Sequence, residues 1–154
     1  MLKYVYGKDD IIAAAVARWI QPQQLRSFGK CRAIGVVNEL GMLIGGIVYN
    51  QFDPESGTIE MSCAAVTPRW LSRRTMMVMG GYPFLELGCQ MVITRTPATN
   101  LSGLRILRAC GFACVRLPRL YGRNCDGFIC TITDDVWLNN KFTTRVSYEK
   151  TRAA

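Results

Sequence analysis

Hydrophobic positions near the start of the chain repeat with a helical period. Asp9 or Asp10 can cap a helix in which Ile11, Ala15 and Trp19 fall on one stripe and Ile12, Val16 and Ile20 on the next. Gln21 and Pro22 end it. The period then shortens to that of strands. Two β-like runs, Cys31–Val37 and Met42–Phe52, are separated by the turn-like Asn38-Glu39-Leu40-Gly41. A second turn, Asp53 to Gly57, leads into a third run, Thr58–Val66. Three strands joined by short turns predict an antiparallel meander.

Beyond Val66 helices and strands alternate. Thr67-Pro68-Arg69-Trp70 breaks the strand, and Ser72 can cap a helix running through Met76, Met77 and Met79. Gly80, Gly81 and Pro83 weigh against its later turns, because glycine and proline both cost helix stability. Gln90–Thr96 is a short β run. Thr99 or Asn100 caps the next helix, with Leu101, Leu104, Leu107 and Arg108 at helical spacing and Gly111 as its C-cap. Two final strands, Ala113–Leu117 and Phe128–Thr133, flank a Gly/Asn/Asp-rich loop at Tyr121–Gly127. The order predicts an α/β (α+β) fold, a mixed and mostly antiparallel central sheet with helices on both faces.

At 154 residues the chain reads as one domain without repeats or linkers. No apolar run approaches the ~20 residues that span a bilayer, so no membrane partner is expected. The N-terminal residues do not read as a secretory signal, which makes the cytoplasm the expected location. Seven cysteines contain no CxxC pair, and there is no histidine. The usual zinc spacings therefore cannot be written and no metal is expected, nor can a Ser-His-Asp or Cys-His arrangement. The cysteines sit mostly in apolar runs and read as buried, reduced thiols. A net charge of +8, carried mostly by arginine, suits an anionic partner: a nucleic acid, an acidic protein face or a phosphorylated cofactor.

The Tyr6-Gly7 start with its following helix, Ile47-Val48-Tyr49-Asn50-Gln51-Phe52, the segment Pro68–Met77, the segment Tyr82–Val92 and above all Asn100–Phe112 together resemble the GNAT N-acetyltransferase superfamily. The resemblance covers residues 1–138, as a single acyltransferase domain, and leaves residues 139–154 as a tail outside it. Within the superfamily it looks most like a phage and prophage branch. It implies an acyl-CoA fold that binds acetyl-CoA and transfers the acetyl group to a primary amine of an unidentified acceptor.

The resemblance also implies a site. The strand Thr58–Val66 would run into a turn whose backbone N–H groups face the CoA pyrophosphate from a helix N-terminus, a natural anion site. The family motif there has a leading basic residue and two small residues. This chain has Leu71-Ser72-Arg73-Arg74-Thr75-Met76 in that span, with Arg73 and Arg74 able to add charge-assisted contacts. Ala64, Ala65 and Val66 match the strand end that pairs with the pantetheine arm, and Asn100 and Ser102 match positions beside it. Glu60 stands where histone-type members carry a general-base glutamate. The family's acid tyrosine is replaced by Leu107, which leaves Tyr121, Tyr49 and Cys110 as alternatives.

Arg116, Arg119 and Arg123 with Tyr121 form a basic segment that either grips a nucleic-acid backbone or lies solvated along a sheet edge. Two other functions remain beside the acetyltransferase. One is a phage-type acyltransferase that modifies nucleic-acid bases. The other is a non-catalytic module, binding CoA or a macromolecule on a degenerate scaffold. The apolar strands and methionine-rich helix leave room for a homodimer.

Overall fold

The computed structural model describes residues 1–20 and 27–140. Among these, the chain is a mixed α/β fold with a mostly antiparallel sheet, and the expected order of elements is observed. The strands are β1 (Lys3–Val5), β2 (Arg32–Val37), β3 (Leu43–Asp53), β4 (Thr58–Ala65), β5 (Met91–Pro97), β6 (Ala113–Leu117) and β7 (Gly127–Thr133). The helices are α1 (Asp9–Ile20), α2 (Arg73–Gly80), α3 (Leu101–Ala109) and α4 (Asp134–Leu138). The short α4 and a 3-10 turn at Pro68–Trp70 are additions to the expected set. Among the described residues no helix is long and apolar enough to cross a membrane. The end of α1 at Gln21 and Pro22, and the tail from 141 on, lie outside the described residues.

The backbone groups into two compact units: Met1–Asp53 with Ile59–Met79, and Pro54–Thr58 with the chain from Gly80 on. In the first, the strands follow the order β1-β2-β3-β4, with β1–β2 and β2–β3 antiparallel. The Asn38 turn forms as expected, its carboxamide oxygen accepting from the N–H groups of Leu40 and Met42 at 3.0 Å each. Helix α1 starts one residue early. The Lys8 carbonyl accepts the first helical bond from Ile12, so Asp9 and Asp10 occupy the first turn, where their charge favours the helix dipole. Asp9 also accepts from the Ala33 N–H at 2.7 Å, which fastens the helix start to β2.

Only one of the two expected α1 stripes is buried. Ile12, Ala13, Val16 and Ala17 face the strands, whereas Ile11 is 66% exposed. Ile12, Ala13 and Val16 pack with Ala33 of β2 and Val48 of β3 in one apolar cluster. The approach is close because β3 carries two consecutive glycines. Successive residues of a strand face opposite sides. A Cβ at Gly46 would stand 2.5 Å from Val16 Cγ2, and one at Gly45 would stand 2.9 Å from the Trp70 ring. Bare backbone thus admits α1 on one face and Trp70 on the other.

Helix α2 does not fail at Gly80-Gly81, as the glycine and proline suggest. It widens into a π-helical turn over Gly81–Glu86, in which Pro83 and Phe84 are buried. Proline has no N–H, so the carbonyl four residues before Pro83, that of Met79, lacks its helical donor. The Tyr49 hydroxyl, on a side chain 1% exposed, donates to that carbonyl at 2.6 Å. Tyr49 is therefore a structural donor and not a candidate acid.

In the second unit β5, β7 and β6 form an antiparallel order with β7 central. Phe84 packs on Trp137 of α4 with ring centroids 5.4 Å apart, and Trp137 closes over Gly80, where no Cβ would fit. The register sets Cys114 directly opposite Cys130, and the two form a disulfide. Reading all the cysteines as thiols is thus corrected for this pair: sixteen residues apart in sequence, they are made neighbours by β6–β7 pairing. Burial raises the thiol pKa values of Cys31 and Cys89, with Asp9 and then Asp10 adding to the effect at Cys31.

Gly46→Ala is expected to destabilise the protein by about 1–3 kcal/mol, because Val16 and Ile12 must shift to admit the methyl group. Gly81→Ala, whose Cβ meets nothing within 4 Å, is expected to stay within about 0.5 kcal/mol of the parent. Urea unfolding of the two variants checks both values.

Candidate functional site

The span from β4 to α2 is built around one hydroxyl. Thr75 is completely buried. Its Oγ1 donates to the Trp70 carbonyl at 2.8 Å. A threonine hydroxyl has a single proton, so its contacts with Ser72 Oγ (3.0 Å) and the Tyr4 hydroxyl (2.8 Å) are bonds it accepts. Ser72 Oγ in turn accepts from the Thr75 N–H at 3.1 Å, the bond of an N-cap residue to the third residue of its helix. Ser72 caps α2 as its sequence position implies. The 3-10 turn is capped the same way, Thr67 Oγ1 accepting from the Arg69 N–H.

The candidate residues fall into two groups, one in each unit. Arg73 and Arg74, in the first turn of α2, are exposed. Arg74 lies over the Tyr4 ring, 5.4 Å from its centroid. Leu71 and Met76 are half-buried, their N–H groups donating to Pro68 and Ser72 carbonyls. Upstream, Ala64 and Ala65 end β4, and Ala64 packs against the α1 cluster. The Val66 N–H donates to the Ile44 carbonyl at 2.9 Å, so Val66 faces β3. Backbone groups alternate sides along a strand, which turns the N–H and C=O of Ala65 to the edge of β4 away from β3. Glu60 is half-buried on β4 and alternates with the buried Ile59 and Met61.

The second group lies in the other unit. Asn100 caps α3: its Oδ1 accepts from the Gly103 N–H at 3.1 Å and from Ser102 Oγ at 3.4 Å, while Nδ2 donates to Thr96 at 3.1 Å. Asn100 and Ser102 are thus brought together, and the carboxamide works first as a cap. At the other end of α3, Gly111 with φ 101° closes the helix; its N–H reaches the Arg108 carbonyl and the Phe112 N–H reaches that of Leu107. Cys110 belongs to that far end, remote along the helix from Asn100.

Tyr121 lies across Gly127, where a Cβ would come within 2.5 Å of its ring. Gly127 pairs with Pro97, and the Ala98 N–H donates to the Asp126 carbonyl, so Tyr121 shares an end of the sheet with Asn100. The loop carrying Tyr121 is held by Asp126, which accepts from the Arg119 N–H and from Arg116 Nε, both at 3.1 Å. Those two bonds, the Arg119 amide first, hold the Asp126 carboxyl below its ordinary pKa. Arg116 also lies over Phe128, as does Arg108, at 5.7 and 5.3 Å. Of the two readings of the basic segment, the sheet-edge one fits Arg116, whose charge is already matched.

Tyr4 and Asp126 escaped the sequence reading. Asp126 carried a usable signal, an Asx residue before glycine in a turn-rich loop. Tyr4 carried no signal in the sequence, since its role depends on β1 lying beside α2.

No protein-family model matches the sequence, and no curated protein matches it. Solved structures do. A chimaera of the spermidine N-acetyltransferase of Vibrio cholerae with its human counterpart superposes with a TM-score of 0.74 at 15% identity, over 90% of this chain and 99% of that one. The dodecameric spermidine N-acetyltransferase of Vibrio cholerae gives 0.71 at 15% identity, over 90% and 96%. A candidate acetyltransferase from Acinetobacter baylyi gives 0.68 at 19% identity, over 86% and 93%. At such identities the likeness is one of fold.

Thr75→Val keeps the shape and removes the hydroxyl, leaving the Trp70 carbonyl without this donor. We expect a loss of about 1–3 kcal/mol in chemical denaturation. Asp126 should titrate below the ordinary aspartate range in a carboxyl-resolved NMR titration, with the Arg119 amide shift following the same curve. A depressed pKa means that its stabilising effect is full above the unfolded value and is lost as pH falls through the folded one.

Proposed function

We propose that this chain, built on the fold of GNAT N-acetyltransferases, is an acetyl-CoA-dependent N-acetyltransferase acting on a primary amine, with residues 1–138 as its functional domain. The observation that carries the reading is the capped first turn of α2, held by the Thr75 knot and reached from β4 through the 3-10 turn. Unsatisfied N–H groups and the positive end of the dipole make such a terminus receptive to a pyrophosphate. The residues fit the group. Arg74 stands where the family uses glycine, but its side chain folds onto Tyr4, and Arg73 projects outward.

Acetyl-CoA supplies a thioester whose carbonyl carbon accepts an amine. In the proposed assignment Ser72, Thr75 and the backbone from Leu71 to Met76 shape the pyrophosphate turn, with Arg73 and Arg74 adding charge. The end of β4 at Ala64, Ala65 and Val66 is assigned to pairing with the pantetheine arm, and Asn100 and Ser102 are assigned as further cofactor contacts. Glu60 removes the proton from the attacking ammonium, directly or through water. Tyr121 donates its hydroxyl proton to the departing thiolate as the C–S bond breaks. The nitrogen loses its second proton as the amide forms, and that proton passes through water to the Tyr121 phenolate, while Glu60 releases the first to solvent, so that one proton leaves overall.

Two of the similar structures are spermidine N-acetyltransferases, whose acceptor is a polycation. A chain of net charge +8 favours instead an amine carried by an uncharged or acidic molecule. Self-association is also part of the reading, given the dodecameric relative in fold. So is a cytoplasmic location, the host cytoplasm if the gene is a phage's. Arg116, already tied to Asp126, gives no support to a nucleic-acid partner or to base modification.

Acetyl-CoA is expected to raise the melting temperature, and release of CoA thiol in the presence of a panel of amines is expected to fall about a hundredfold or more in Glu60→Gln. Stabilisation by acetyl-CoA without turnover on any amine would favour the non-catalytic module. Neither stabilisation nor turnover would overturn the cofactor assignment itself.

A further inference from the structure

Near the end of α3, Arg108 lies over Phe128 of β7, and a Cβ on Gly111 would stand 3.7 Å from Ile132 Cδ1. Alternate residues of a strand share a face, so Cys130 lies between those two, beneath the last turn of the helix. It is 0% exposed. Its partner Cys114 is half-buried, because β6 ends the strand order and pairs with β7 alone among the described strands. One sulfur of the disulfide therefore belongs to the interior of this unit and the other to its rim. The strands do not need the bond to meet. The two Cα atoms are 4.0 Å apart, the close approach of a non-hydrogen-bonded antiparallel pair. Ladder pairs Ala113–Thr131 and Val115–Ile129 flank them on either side.

We propose that Cys114 and Cys130 are a reversible thiol–disulfide couple, oxidised and reduced at Cys114, whose bond clamps the loop of residues 118–126. Two thiols set side by side by strand register can close and reopen without refolding the hairpin. Hydrogen peroxide is the oxidant, small enough to reach the rim. The Cys114 thiolate attacks one peroxide oxygen and the O–O bond breaks. The departing hydroxide takes up the proton that Cys114 gave up and leaves as water. The Cys130 sulfur then attacks the sulfenic acid so formed, losing its own proton, and the oxygen departs as a second water. Reduction runs through the same atom. A glutathione thiolate attacks Sγ of Cys114, the S–S bond breaks, and Cys130 leaves as a thiolate that takes up a proton. A second glutathione frees Cys114 from the mixed disulfide and becomes half of oxidised glutathione.

The bond matters because little else ties β6 down. The strand is five residues long, and its ion pair from Arg116 to Asp126 is solvent-exposed at the arginine, the kind that contributes little. A short strand with one neighbour opens locally more readily than a central one. A cross-link opposes opening by limiting what the open state can do. Here it closes a ring whose ends are 16 residues apart in sequence, and the whole loop lies inside it. Within that ring Arg119 has φ 63°, a left-handed conformation uncommon for a side chain with a Cβ, and its N–H is fixed by Asp126. The Tyr121 N–H donates to the Cys125 carbonyl, and its ring lies across Gly127. Clamping the loop fixes the place of Tyr121, whatever its hydroxyl does.

The test follows thiols and amides of the whole chain across a series of reduced-to-oxidised glutathione ratios, and it is independent of acetyl transfer. The pair should pass from thiols to disulfide within that series, read by alkylation after denaturation and peptide mapping. Hydrogen peroxide followed by reduced glutathione should close and reopen it. In the reduced native protein, iodoacetamide should label Cys114 well before Cys130. Amide exchange of Val115, Arg119 and Tyr121 should slow about tenfold or more on closure. Cys114→Ser, a near-isosteric change at the half-buried position, should keep the faster rates under both conditions, with circular dichroism like that of the parent. A pair that remains as thiols in peroxide overturns the proposal. So does a bond that no glutathione ratio opens, a Cys130 labelled first, or amide rates that are the same in both states.

Discussion

The completely buried Thr75 hydroxyl holds one end of the candidate site in place. With one proton and two lone pairs it engages the Trp70 carbonyl, the Ser72 hydroxyl and the Tyr4 hydroxyl, so every part of its bonding capacity is used. Those partners come from the 3-10 turn, the cap of α2 and β1. A buried polar network is stabilising only when complete, since any orphaned member carries its full desolvation cost. The helix start, its cap and the strand beneath it therefore share one geometry.

The first unit depends on close backbone approach as much as on hydrogen bonding. Gly45 and Gly46 let Trp70 and α1 seat on opposite faces of β3. Trp70 is also the residue whose carbonyl Thr75 needs. The packing of a ring against bare backbone and the satisfaction of a buried hydroxyl are thus two aspects of one arrangement. In the second unit the corresponding organiser is Asp126, which shapes the loop under Tyr121 and neutralises Arg116.

Much of the fold was legible because its signals are local. The Asn38 turn, the Ser72 cap, the Gly111 C-cap and the limits of β6 each depend on a few neighbouring residues. Long-range pairing was not legible. No spacing rule announces that Cys114 meets Cys130; only the β6–β7 register does. The choice of α1 stripe was hidden for the same reason, since Ile11 and Ile12 are equally apolar and the strands decide between them. Pro83 was read as a helix breaker because its missing N–H is a local fact, while its remedy at Tyr49 is a distant one. Of the candidate site, the cap and the turn could be read from residue types. The fold-back of Arg74 onto Tyr4 could not, because it requires β1 to lie beside α2.

The hydroxyl that Tyr49 lends to the Met79 carbonyl makes residues 49 and 83 two halves of a single choice. Proline at 83 creates the need that tyrosine at 49 meets. A lineage that regained an N–H at 83 would release position 49 from its hydroxyl, and phenylalanine could drift in without harm. In the reverse order, losing the hydroxyl while proline remains leaves the carbonyl without this donor. Descendants of this sequence should therefore pass through the proline change before the tyrosine change, so that the order of two distant substitutions is set by one missing hydrogen.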